Sequence, residues 1–107
     1  MHVRISNTLK LDDLLDALDG VDRRGSAAKL VALTTAAWRD YLGARLPDVE
    51  VDVHMRLDDG RGASPNVVFI DFDEAVSYEL RSEIHAKLSE VALEVFTRAE
   101  WIVRQPA

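Results

Sequence analysis

The 107-residue chain predicts an α+β domain, on three observations. Segments whose apolar residues alternate with polar ones stand among segments whose apolar residues recur at helical spacing. The two kinds follow one another in the order β-α-α-β-β-α-β. There is no cysteine, so a hydrophobic core has to hold the fold without disulfides. At 107 residues the whole chain, 1–107, reads as a single domain.

The elements follow from local pattern. In residues 2–6, Val3 and Ile5 alternate with His2, Arg4 and Ser6, a short strand. Over residues 9–19, Leu11, Leu14, Leu15 and Leu18 have helical spacing, with Asp12 and Asp13 in the first turn and Gly20 as a natural stop. Residues 21–25 read as a turn. Ser26 suits an N-cap for a helix reaching about Arg45, with the stripe Ala27, Leu30, Val31, Thr34, Ala37, Trp38, Tyr41 and Leu42, ended by Pro47.

In residues 49–57, Val49, Val51, Val53, Met55 and Leu57 share one face, and Glu50, Asp52, His54 and Arg56 the other. That is a strand with one wet face, as expected near a sheet edge. Residues 58–65 form a connection. Residues 66–72 are apolar on both faces, which predicts a central strand. Residues 74–98 read as a helix on the stripe Val76, Leu80, Ile84, Leu88, Val91 and Val95. Its start is capped from Asp71 and Glu74, or from Asp73. Glu83 with Lys87 and Glu94 with Arg98 are i,i+4 pairs. Residues 100–104 read as a last short strand.

With the first two helices taken as one broken crossover, this is the split βαβ, or ferredoxin-like, order. The expected architecture is a four-stranded antiparallel sheet with helices on one face.

Composition narrows function. Without cysteine, thiolate metal sites and cysteine nucleophiles are excluded. The first residues lack the apolar stretch of a signal peptide and no apolar run approaches a membrane span, so a cytoplasmic location with no membrane partner is expected. The net charge is −6. Residues 1–45 hold seven Lys/Arg and six Asp/Glu, while residues 46–107 hold six and thirteen, so the excess acid lies in the second half. An acidic half does not suit a phosphate backbone.

No motif announces catalysis. There is no Gly-x-Ser-x-Gly elbow, and His2, His54 and His85 fall on three elements without metal-ligand spacing. Asp12, Asp16 and Asp19 share a helix face, which reads as solvated. Asp71, Asp73 and Glu74 read as capping residues. The segment Gly60, Arg61, Gly62, Ala63 and Ser64 lacks the Lys and the following helix of a phosphate loop. No cofactor is expected. An enzyme would have to rely on His54 or the cluster from Asp71 to Glu74.

A non-catalytic protein-binding or regulatory module is the leading expectation. The patch is Glu50, Asp52, His54, Asp58 and Asp59, and the partner is a basic protein. The last long helix carries a second stripe, with Tyr78, Ser82, Leu93 and Phe96 as candidates for self-association as a homodimer. The other expectation comes from residues 2–42. The strand His2, Val3, Arg4, Ile5, Ser6, the leucine-patterned helix, the turn through Asp22, Arg23, Arg24, Gly25 and Ser26, and the long second helix resemble a ribbon-helix-helix domain. That resemblance implies a dimeric DNA-binding regulator. Its strand would pair across the dimer, with His2, Arg4 and Ser6 reading bases and Ser26 near a phosphate.

Overall fold

The computed structural model describes residues 1–9, 20–57 and 68–105. In these, β1 (His2–Leu9) leads to α1 (Arg23–Arg45), then β2 (Glu50–Leu57), β3 (Val68–Phe72), α2 (Tyr78–Thr97) and the short α3 (Ala99–Arg104). The helix expected over residues 9–19 falls on positions 10–19, outside the described residues, apart from Leu9, which ends β1.

The sheet corrects the expected architecture. It has three strands in the order β2-β1-β3 and is mixed: β1 runs parallel to β2 and antiparallel to β3. The four-stranded antiparallel, ferredoxin-like sheet is therefore not formed. Two local outcomes produce the difference. First, β1 is the central strand, and β3, expected to be central, lies at an edge. Alternation shows which face of a strand is wet, but not which strands flank it. Second, residues 100–104 are helical. Ala99 and Ile102 are buried three positions apart, and Glu100 meets Arg104 at 3.5 Å across one turn. The amine of Lys29 donates to the Gln105 carbonyl at 2.7 Å, a cation at the end of this short helix.

Two apolar clusters fill the helix side of the sheet. Val3, Ile5, Trp38, Leu42, Val68, Ile84, Leu88 and Ala92 form the larger. Ala27, Leu30, Ala99 and Ile102 form the smaller, under α3, with Phe96 against it. The α1 stripe is as expected: Ala27, Leu30, Thr34, Trp38 and Leu42 are buried. Two buried polar side chains find partners inside: the Trp38 indole donates to the Leu88 carbonyl at 3.0 Å, and the Thr34 hydroxyl to the Leu30 carbonyl at 2.8 Å.

The helix ends differ from the sequence reading. Asp22, not Ser26, caps α1, its carboxylate accepting from the Gly25 N–H at 3.1 Å, while Ser26 is buried inside the helix. Ser77 caps α2 by accepting from the Leu80 N–H at 3.2 Å. The carboxylates expected to cap it serve the start of the chain: Asp73 accepts from the His2 N–H at 2.8 Å, and Glu74 lies 3.3 Å from the Met1 amino group. Glu83 reaches across to Arg45 at 2.8 Å, and Lys87 stands 3.9 Å from Glu90; Glu94 and Arg98 stand 3.7 Å apart on α2 as expected.

Candidate interaction surface

Alternation along β1 sends Val3, Ile5 and Asn7 into the core and Arg4 and Ser6 to the opposite face. The register then decides which side chains join them. His2 lies opposite Glu50, Arg4 opposite Asp52 and Ser6 opposite His54 on β2. On the other flank Arg4 lies opposite Asp71 and Ser6 opposite Phe69. Among the described residues, the helices cover only the other side of the sheet. Arg4, Ser6, Glu50, Asp52, His54 and Asp71 are all exposed, and Phe69 is 67% exposed. An open sheet face with carboxylates on both flanks of Arg4 and one projecting aromatic ring is the result.

This face unites two sets of residues that the sequence kept apart. Glu50, Asp52 and His54 stand beside His2, Arg4 and Ser6, and the imidazole Nε2 of His2 lies 2.6 Å from the Asp52 carboxylate. Asp58 and Asp59 lie outside the described residues. Phe69 and Asp71 were missed as surface residues because residues 66–72 read as doubly buried. Their shared parity, opposite to Val68, Ile70 and Phe72, was the available signal.

The self-association stripe is divided. Tyr78 is 79% and Leu93 61% exposed, and Ser82 is exposed, but Phe96 is half-buried against the smaller cluster. Sequence reasoning also missed Leu33 and Trp101, both exposed beside a shallow cavity of about 480 Å³ between α1 and α3. The Arg98 guanidinium lies over the Trp101 ring at 4.9 Å.

Catalytic geometry is not assembled from the candidate residues. Asp71 faces the open side, whereas Asp73 and Glu74 engage His2 and Met1. His54 is exposed on β2, and His85 on α2 spends Nε2 on the Val68 carbonyl at 3.1 Å. The ribbon-helix-helix arrangement needs a strand with an edge to lend to a second copy, and β1 is paired on both sides. Among the described residues no helix is long and apolar enough to cross a membrane. Comparison with protein-family models, with curated proteins and with solved structures finds no match.

Proposed function

We propose that this domain is a non-catalytic protein-binding module whose open sheet face docks a basic partner. The observation that carries the reading is the exposed face itself: Asp52 and Asp71 flank Arg4, Glu50 lies opposite His2, and Phe69 projects opposite Ser6, on a sheet whose other side is filled by helices. A sheet with one covered face ordinarily turns polar groups to water. An aromatic ring among those groups adds apolar area that association can bury. The carboxylates supply a field that steers a basic surface toward it.

The test is capture of partners from lysate of the source cells on immobilised protein, followed by association kinetics with the partner obtained. Asp52→Lys with Asp71→Lys is expected to slow association about tenfold at low salt and much less at high salt. Phe69→Ser is expected to speed dissociation with little change in the association rate. Unchanged rate constants in both variants would remove the open face as the site.

A further inference from the structure

The outer edge of β3 is a second recognition element, and its geometry follows from hydrogen-bond parity. The Asp73 N–H donates to the His2 carbonyl at 3.1 Å, so His2 and Asp73, one step beyond the Val3 and Phe72 pair, hold the position of a hydrogen-bonded pair, with the Asp73 carboxylate in place of its carbonyl accepting from the His2 N–H. Such pairs recur every second residue, so Asp71 and Phe69 also turn their backbone groups to β1. Val68, Ile70 and Phe72 turn theirs outward. His85 confirms the direction, because its ring reaches the Val68 carbonyl from α2 at 3.1 Å. Among the described residues no strand pairs with this edge, and no hydrogen bond reaches the Ile70 N–H, the Ile70 C=O or the Phe72 N–H. Beside them lies a groove of about 280 Å³ walled by Ile70, Arg81, Ser82 and His85.

We infer that this edge accepts an extended segment of another protein as an added strand, with basic and apolar residues alternating. The inference rests on the proposed preference for a basic partner and names how a segment of it is held. Strand addition uses the backbone for affinity and alternate side chains for specificity. Here the two sides of an added strand differ. On the open face its side chains stand beside Asp71, which calls for Lys or Arg. On the helix face they stand beside Ile70 and enter the groove under Ser82 and His85, which calls for apolar residues. Charge argues against a second copy as occupant. Its β3, Val68–Phe72, offers no basic residue to Asp71: two-fold antiparallel pairing about Ile70 sets Asp71 opposite Phe69 of the other copy and leaves the carboxylate without a cation.

The experiment uses the full chain, isotope-labelled, titrated with a capped peptide of alternating Lys and Val and, separately, one of alternating Glu and Val. The Lys-Val peptide is expected to shift the Ile70 and Phe72 amide resonances and to slow hydrogen exchange at both, with a dissociation constant below about 1 mM. The Glu-Val peptide is expected to do neither. Ile70→Pro deletes an N–H that makes no ladder bond, and Ser82→Trp fills the groove from the helix side; each is expected to weaken binding at least about tenfold. Glu50→Lys with Asp52→Lys alters the far flank of the open face, two strands from the edge, and is expected to weaken peptide binding through charge alone, by less than Ile70→Pro does and with the loss removed at high salt. Loss on the Glu50 and Asp52 changes with no effect of Ile70→Pro would overturn the edge while keeping the open-face reading. Amide shifts absent from Ile70 and Phe72, equal binding of both peptides, or a dimer abolished by Ile70→Pro would overturn the edge proposal itself.

Discussion

Trp38 joins α1 to α2 with one side chain: its ring is fully buried and its indole N–H is spent on the Leu88 carbonyl. Trp38→Phe keeps an aromatic ring but removes the donor and part of the volume. A loss of about 2 kcal/mol in denaturant unfolding is expected, against about 3–5 kcal/mol for Trp38→Ala. Tyr41, one turn along, carries a pH signal. Burial raises its phenol above the usual value near 10, Glu83 adds to the rise, and Arg45 opposes it. The folded state therefore holds this proton more tightly than the unfolded chain does. Its contribution to stability is complete below about pH 10 and is lost as pH rises through the raised value. Tyr41→Phe should make the melting temperature fall less steeply than in the parent between about pH 9 and pH 11. A parallel fall in both proteins would show that Tyr41 does not contribute. Both residues were legible as members of one helical stripe. Their partners were not, because Leu88 and Glu83 belong to a helix about fifty residues away in sequence for one and about forty for the other.

At the scale of the element, the start of α1 shows two local preferences in conflict. Asp22 caps the helix by accepting from the Gly25 N–H, and a Cβ at Gly25 would stand 2.5 Å from the Asp22 Oδ2 that accepts it. Gly25→Ala therefore gains helix propensity of up to about 1 kcal/mol while displacing a cap of about the same value. The single change is expected to be nearly neutral and Asp22→Ala to cost about 1 kcal/mol. In the Asp22→Ala background, Gly25→Ala is expected to stabilise, giving a coupling of about 1 kcal/mol in a double-mutant cycle. Additive single changes would mean that the cap bond contributes nothing. Ser26 looked like the better cap because a small hydroxyl residue preceded an apolar stripe. Burial of Ser26 within the first turn, which only the packing of α1 against its neighbours decides, moved the start back to Asp22. The same kind of non-local decision changed residues 100–104. Their short apolar run, Trp101 to Val103 between two charges, is as compatible with a strand as with a short helix, and the pocket of apolar side chains under Ala99 and Ile102 selected the helix.

At the scale of the molecule, individual strands were legible and the sheet was not. The wet face of β2 and the alternation of β1 both follow from period-two patterns. Strand order depends on pairings between residues about fifty and seventy positions apart, for which a local pattern carries no term. The open face was visible only as two separate fragments for that reason, and assembling them changes the expectation for DNA. The Arg4 side chain lies between Asp52 and Asp71 on the neighbouring strands, and Glu50 lies opposite His2. A phosphate approaching Arg4 meets two carboxylates first, and the chain as a whole carries −6. No edge of β1 remains for pairing with a second ribbon. Fluorescence anisotropy with labelled duplex DNA of random sequence is therefore expected to show no saturable binding even at about 0.02 M salt, where non-specific contacts are strongest. Asp52→Lys with Asp71→Lys removes the flanking carboxylates and is expected to introduce weak binding that disappears as salt is raised. Saturable binding by the unmodified protein, lost in Arg4→Ala, would show that the carboxylates do not govern this face and would return β1 to consideration as a reader of bases.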